Sequence, residues 1–451
     1  MGKENEYPGS LHNHTDFSNL RVRDAINTVD GLMDYAIELG HEVLAFTEHE
    51  TVANAIKIQE AYEKRKENNP DFKVILGNEI YLCRNGLDKD NFIPGEDQYF
   101  HFILLAKDSE GHKQIRELST RAWMRSYMAR GLRRVPTYYQ DLIDVIYKNQ
   151  GHVIGSSGCL GGQAQQYLLQ FMQTNEFEYK DKAAKWLKGM VKIFGKDNFY
   201  LELQPSKNPE QVFVNKQFIE LSKQLDIPYI ITCDAHYLNK QEQYIHEIYL
   251  KSQNAEREVA DFYDSTFLMS TQEIEEYIPY LSKEELRQGY ESIRRIKEMC
   301  KDFDLKKPLK IPRLPWKESN ITDAEVESFE EKIPNLKFFS QSDFEGDKLL
   351  GRMIIQGIKE KELFNQETYD EVNVELEDIY QSSKVNKAHW SSYFLNLQKI
   401  IDVIWEAGSL TGISRGSGGG FLILYLLDII QMNCLKETTR TYHWRLDLLA
   451  S

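Results

Sequence analysis

Six short motifs place residue types that commonly bind metal ions at the ends of apolar, strand-like segments. His12 and His14 are two positions apart, which puts both imidazoles on one face of an extended chain. Two imidazole nitrogens placed in this way can bind one divalent ion. The other motifs contribute further candidates, namely Glu48 with His49, Glu79, His101, Cys159, and Asp234 with His236.

Each of these motifs has an ordinary structural explanation when it is taken alone. A single histidine beside an apolar run is more often a hydrogen-bonded core residue, and Cys159 in a glycine-rich turn can be a small buried filler. Repetition at strand ends favours a metal site, because α/β barrels build their sites there. Ions held by imidazoles and carboxylates can activate water, so the set predicts a site for divalent metal ions.

The segments that carry these residues alternate between strand-like and helix-like patterns. We expect an α/β domain with a barrel rather than an open sheet, and no GxGxxG follows the first strand as a dinucleotide-binding fold would require. The predicted strands cover residues 10–14, 43–47, 72–82, 100–106, 152–157, 198–204 and 228–237.

The pattern changes after residue 255. A charged helix is predicted at 283–300, and a proline-containing stretch at 306–319 is typical of an extended linker. A further helical region runs from 343 to 407 and leads into a glycine- and serine-rich segment. We therefore expect a domain at 1–255, a helical extension and linker at 256–335, and another domain at 336–451.

Composition limits the class of protein. The 451 residues include 55 Lys and Arg against 70 Asp and Glu, a net charge of −15, and 41% are hydrophobic, which excludes collagen-like and wholly disordered chains. Five scattered cysteines do not form a disulfide framework and favour a reducing cytoplasm. The apolar run at 421–430 is too short to span a bilayer, so no membrane association is expected.

One stretch of the chain is strongly basic, although the protein as a whole carries a net negative charge. Residues 113–134 contain seven Lys and Arg against one Glu, interleaved with aromatic residues, as in sites for single-stranded nucleic acid. A solvated basic helix with a core tryptophan is the alternative. The candidate DNA contacts are Arg121, Trp123, Arg125, Arg130, Arg133 and Arg134.

The motifs LHNHTDFS, AFTEHE, GNEIYL, GSSGCLGG and ITCDAHYL resemble those of the polymerase-and-histidinol-phosphatase (PHP) domain in bacterial and phage-type DNA polymerase III alpha subunits. The segment from WSSYF to YLLDII is similar to the start of the palm of these C-family polymerases. The resemblance implies a distorted (β/α)7 PHP barrel followed by a mostly helical, partial palm. It also implies two or three zinc, manganese or iron ions held by His12, His14, Asp24, His49, Glu79, His101, Cys159, Asp234 and His236.

Two positions depart from the family pattern. The run after HxH is lengthened, so Asp24 is the candidate for its acidic ligand, while Arg21 stands where a shorter spacing would place it. The usual TDH is TEH, with Glu48 keeping the charge. The expected activity is a 3′–5′ proofreading exonuclease on primer-template or single-stranded DNA, with catalysis by His12, His14, His49, Glu79, Asp234 and His236. A phosphomonoesterase or a non-catalytic, metal-braced docking domain are the alternatives.

The resemblance further implies a triphosphate site at Arg415, Gly416 and Ser417, used with magnesium and a deoxynucleotide in the complete polymerase. The palm aspartates expected downstream are not found after Asp428. We therefore expect the N-terminal part of an alpha subunit, without polymerase activity by itself. Expected partners are the remaining polymerase and replisome proteins such as a sliding clamp, in the bacterial or phage-host cytoplasm.

Overall fold

The computed structural model describes residues 6–93, 97–129, 131–253, 261–414 and 416–436. The chain divides into two compact units, residues 1–306 and 307–451, each with its own apolar core. The division falls inside the predicted extension and linker. None of the described helices is long and apolar enough to cross a membrane.

The first unit is built on a seven-stranded mixed sheet, with strand order β1-β2-β3-β7-β8-β9 and β6 paired to the far end of β2. Strands β7 and β8 are fully buried, as expected for strands covered on both faces. A separate hairpin joins β4 and β5. The strands are β1 Val43–Phe46, β2 Lys73–Cys83, β3 Phe100–Ala106, β4 Tyr127–Ala129, β5 Leu132–Arg134, β6 Pro136–Tyr138, β7 Val153–Ser156, β8 Phe199–Leu203 and β9 Tyr229–Ile231.

The predicted first strand at 10–14 is extended but is not a regular strand. It contacts both ends of the sheet: Ala45 N–H donates to Ser10 O, and His14 N–H donates to Ala235 O. The only pairing that the described chain records here is the bridge between Asn13 and Ala235. This segment therefore closes the curled sheet by joining the strand β1 to the chain that follows β9.

Three further differences from the predicted strands have local causes. No helix is described between β2 and β3, so β3 returns antiparallel to its neighbours. Strand β9 ends early, and Asp234 beyond it has a left-handed φ of 51°, which regular strands exclude. The short strands at 127–138 were not predicted, because the basic residues there obscure any alternating pattern.

Helices cover the sheet of the first unit through apolar stripes. In α10, for example, Leu286, Ile293 and Ile296 are buried, and a Ser282–Glu285 capping box begins the helix. The helices are α1 Val29–Glu38, α2 Ala55–Lys66, α3 Ser109–Met124, α4 Tyr139–Val145, α5 Gln163–Thr174, α6 Phe177–Phe194, α7 Pro209–Leu225, α8 Gln243–Gln253, α9 Thr271–Tyr277 and α10 Lys283–Met299.

The described part of the second unit is helical, as predicted for 343–407. Gly357 in α13 lets this helix approach α16 closely, since a Cβ there would lie 2.1 Å from Leu426 O. The proline-containing stretch at 306–319 has no regular secondary structure. The helices are α11 Asp323–Glu330, α12 Lys337–Ser340, α13 Glu345–Glu360, α14 Gln366–Asn386, α15 Ser391–Glu406 and α16 Leu422–Leu426.

Candidate metal centre

Three buried ligand atoms lie at the corners of a nearly equilateral triangle. His12 Nε2 and His14 Nε2 are 3.0 Å apart, and each lies 3.1 Å from Asp234 Oδ1. Ligand atoms that each lie about 2.0–2.2 Å from one ion have separations of about this size. The closing segment 10–14 and the left-handed turn at Asp234 thus bring the two ends of the sheet to one candidate ion site.

A second group lies beside the first. Another candidate ligand set consists of His14, His49 and His236. The centre of the His14 ring lies 4.0 Å from that of His49 and 4.5 Å from that of His236. Asp24 joins this group, with Oδ1 3.2 Å from His49 Nε2 and Oδ2 3.8 Å from His236 Nε2. The lengthened run after HxH therefore places Asp24, rather than Arg21, among the ligand-type side chains.

The third group contains Glu79, His101 and Cys159. His101 Nδ1 lies 2.8 Å from Glu79 Oε1 and 3.3 Å from Cys159 Sγ. The other oxygen of Glu79 contacts His49 Nδ1, so this carboxylate links the third group to the second. All nine residues predicted as ligands thus lie in one connected cluster.

Three atoms of the predicted ligands are buried and have no hydrogen-bond partner among the described residues, as metal-binding atoms would. Asp24 Oδ1, Asp234 Oδ1 and His49 Nε2 are buried and make no hydrogen bond to any described residue, although imidazole nitrogens or carboxylate oxygens approach each within 3.2 Å. Buried polar atoms without a partner cost free energy, and convergent nitrogen and oxygen atoms are the donor set of zinc, manganese and iron sites. The donor chemistry therefore suits divalent ions.

Two hydrogen-bond networks orient His12 and His14. The sequence motifs do not include all the residues of these networks. Glu202 Oε1 accepts from His12 Nδ1 at 2.7 Å, and Ser156 donates to its other oxygen at 2.5 Å. When a carboxylate accepts the hydrogen of one ring nitrogen, the other ring nitrogen keeps its lone pair free to bind an ion. The signal for Glu202 in the sequence is a single acidic residue within the apolar run FYLEL.

His14 is oriented through Ser18 and Glu48. His14 Nδ1 lies 3.0 Å from Ser18 Oγ, which donates to Glu48 Oε2 at 2.5 Å. The Glu48 carboxylate also accepts hydrogen bonds from Thr15 and Asn54. Glu48, the glutamate of the TEH motif, therefore stabilises the segment that carries His12 and His14.

Removing the Glu202 carboxylate should weaken metal binding. In Glu202→Gln the amide can donate to His12 Nδ1, which favours the tautomer that carries its proton on Nε2 and blocks that ligand atom. We expect an affinity for manganese or zinc about 10–100-fold lower by isothermal titration calorimetry. Glu178→Gln, on the exposed face of α6, is the matched control and should bind as the unaltered chain does. Equal affinities would show that Glu202 does not orient His12.

The cluster contains imidazoles with opposite pKa shifts. Burial alone would lower the pKa of His12 and His49, but nearby carboxylates, Asp234 for the first and Asp24 for the second, raise these pKa values to about 9 and about 10. Burial holds the pKa of His14 well below its usual value. The pKa values of His12 and His14, which share the triangle, are therefore shifted in opposite directions.

Metal binding should release protons at neutral pH. An ion can use His12 and His49 only after they lose their protons, so binding at pH 7 should release about two protons, and affinity should rise from pH 7 towards pH 9. Calorimetric titrations in two buffers of different ionisation enthalpy measure this release. Binding heats that are independent of the buffer would contradict the protonation pattern.

The basic run is largely engaged within the protein. Arg121 pairs with Glu117 at 2.6 Å, and Arg125 makes two hydrogen bonds to Asp141. Trp123 donates through Nε1 to Glu50 O at 2.6 Å. These contacts match the alternative of a solvated helix with an anchored tryptophan.

Two further candidates for DNA contact, Arg133 and Arg134, lie on strand β5. Arg133 is exposed and donates to Ser126 Oγ at 3.3 Å, whereas Arg134 lies over the ring of Tyr99. Arg130 lies outside the described residues. DNA binding by this run stays a prediction, and among the described candidates for DNA contact only Arg133 is exposed.

The glycine-rich segment leads into a short helix whose first amides are bound by a buried carboxylate. The helix that follows it has only five residues, and its first two amides, on Leu422 and Ile423, donate to the buried carboxylate of Glu375 at 2.6 and 2.8 Å. Those two amides are therefore satisfied within the protein, and a nucleotide site at Arg415, Gly416 and Ser417 stays a prediction. Gly416 begins a described turn, while Arg415 and the side chain of Ser417 lie outside the described residues.

Comparison with known proteins gives two family matches. Residues 10–206 match the family described as "PHP domain", and residues 348–445 match the "Bacterial DNA polymerase III alpha NTPase domain". The first match includes seven of the nine predicted ligands and ends before Asp234 and His236.

Curated relatives match over nearly the whole chain. The DNA-directed DNA polymerase of Bacillus phage SPbeta is 33% identical over 457 residues, which cover 96% of this chain and 35% of the relative. The DNA polymerase III subunits alpha of Aquifex aeolicus and Thermus aquaticus are each 26% identical, over 95% and 94% of this chain and 34% and 36% of theirs. The chain spans about a third of the length of these relatives.

Proposed function

Because this chain belongs to the bacterial DNA polymerase III alpha family, we propose that its PHP-domain centre is a metal-dependent phosphoesterase that acts on the 3′ end of DNA. The observation that carries the proposal is the triangle of His12, His14 and Asp234 within one connected cluster of ligand-type side chains. Two or three ions would be held by His12, His14, Asp24, His49, Glu79, His101, Cys159, Asp234 and His236.

The bound ions would supply a water of lowered pKa and positive charge for phosphate oxygens. The protein's own contribution is orientation. Glu202 and Ser18 fix the ring positions of His12 and His14, and the closing segment 10–14 fixes the backbone between them. Glu79 links two ligand groups, so its position couples their geometry. His101 is the most exposed ligand-type side chain, at 29%, and marks the side from which a strand end would enter.

The resulting role is proofreading in DNA replication: removal of a 3′-terminal nucleotide from a primer-template or single strand. In the complete polymerase, a deoxynucleotide with magnesium would bind near Arg415, Gly416 and Ser417. The remaining polymerase and replisome proteins such as a sliding clamp would be partners, in the cytoplasm of the bacterium or phage host. Family membership supports these assignments.

The test compares two substrates on the 451-residue chain loaded with manganese. Release of a labelled 3′-terminal nucleotide from a single strand, faster than turnover of a phosphomonoester such as p-nitrophenyl phosphate, is the expected result. Preference for the phosphomonoester would favour a phosphatase. No turnover of either substrate with ions bound would favour a metal-braced docking domain.

A further inference from the structure

Arg21 is a buried cation beside the metal centre, and its Nε has no hydrogen-bond partner among the described residues. Its side chain is about nine-tenths buried, and its Nε is unsatisfied within the described chain. The charge of the guanidinium acts on the buried carboxyl group of Glu50, but the described residues show no hydrogen bond between the two. A buried charge is normally hydrogen-bonded as well as paired, because leaving water without a partner is costly. The unsatisfied Nε is therefore open to an anion that the described chain does not supply.

The backbone places this guanidinium at the centre. Arg21 ends the short turn Asp16–Leu20 that contains Ser18, the residue that contacts His14, and its N–H donates to Ser18 O at 3.0 Å. The turn is thus fixed at one end by the network that orients HxH. Displacement of Arg21 relative to the ligand cluster is limited by that anchor.

Tyr81 connects Arg21 to two of the ligand-type histidines. The Arg21 Cζ lies 3.6 Å from the centre of the Tyr81 ring, whose hydroxyl lies 3.2 Å from His49 Nδ1. The same ring packs edge-on against His101 at 4.7 Å. Contact with an aromatic face holds a planar guanidinium and leaves the N–H groups at its edge available to other partners.

We propose that Arg21 binds the non-bridging oxygens of the phosphate group that is hydrolysed at the metal centre. This inference rests on the proposed phosphoesterase function and assigns it a substrate-binding residue outside the ligand set. A guanidinium suits the task because its fork of donors matches two phosphate oxygens at once. The phosphate is then held by Arg21 as well as by the ions.

The test measures binding of thymidine 5′-phosphate to the manganese-loaded chain by calorimetry, independently of hydrolysis. We expect Arg21→Gln to weaken this binding about 10–100-fold, since a charge-assisted contact is lost, while metal content stays unchanged. Arg21→Lys should lie between the two, because lysine keeps the charge but not the fork. Arg23→Gln, which removes the same charge from an exposed position two residues on, should bind as the unaltered chain does.

Several results would overturn the proposal. They are unchanged affinity in Arg21→Gln or Arg21→Lys, loss of bound manganese in Arg21→Gln, or no binding of thymidine 5′-phosphate by the unaltered chain. If Arg21→Gln does not fold, the affinity of Arg21→Lys for thymidine 5′-phosphate, relative to that of the unaltered chain, decides. The alkyl stem of the lysine can still pack on Tyr81, so this variant should fold. If the unaltered chain binds the nucleotide through Arg21 but hydrolyses no DNA end, the proposed function fails and the Arg21 site stands.

Discussion

Replacing His14 by alanine should reduce release of 3′-terminal nucleotides by about a thousandfold or more, since ions lower such barriers by several kcal/mol and each 1.36 kcal/mol is a factor of ten. His14 Nε2 belongs to both the triangle with His12 and Asp234 and the neighbouring histidine group. Its loss removes a ligand atom from two candidate ion sites at once. Rates from a labelled single strand, with metal content measured by elemental analysis, test this directly.

The control variant is His389→Ala. This imidazole lies in the second unit, half-exposed and stacked on Phe344, and it is not part of the cluster. It should leave both the hydrolysis rate and the metal content of the centre unchanged. Hydrolysis at the full rate in His14→Ala would contradict the assignment of the active site.

Chelation should lower the melting temperature of the chain by about 5 °C or more. Ions at a hundred times their Kd stabilise the fold by about 2.7 kcal/mol per site. Each kcal/mol corresponds to about 2–4 °C for a domain of 150–250 residues. The candidate ligands include residues on the closing segment 10–14, on β2 and β3, and beyond β9, so bound ions would join parts of the chain that are distant in sequence.

Calorimetric melting with and without chelator, followed by readdition of manganese, measures this effect. His14→Ala serves as the internal comparison, because a centre with fewer ligands should shift less. An unchanged melting temperature in a sample shown to have lost its ions would contradict a stabilising role for the centre.

The side chains that meet in the cluster could be identified from the sequence because each motif is local, and their binding of ions stays a prediction. HxH and DxH each place two side chains within two positions of each other, and the strand patterns that position them are short and apolar. The expected α/β class, the PHP resemblance and the helical character of 343–407 are confirmed by the structure and the family matches. The assignment of roles to individual site residues stays a prediction.

The residues around the ligands could not be predicted in the same way. Glu202 reaches His12 across 190 positions, and the unsatisfied Nε of Arg21 depends on burial beside Tyr81. These two contacts depend on how the first unit closes, and the antiparallel turn of β3 and the break before Asp234 contribute to that closure. In the second unit, Glu375 contacts amides 47 and 48 positions away, which no local pattern in the sequence indicates.

One measurement tests the central claim most directly: titration of manganese into the metal-free 451-residue chain while release of the 3′-terminal nucleotide from a labelled single strand is followed. The account predicts that two or three ions bind and that release of a nucleoside 5′-monophosphate begins as these sites fill. Binding of the same ions with no nucleotide released at any loading would contradict it.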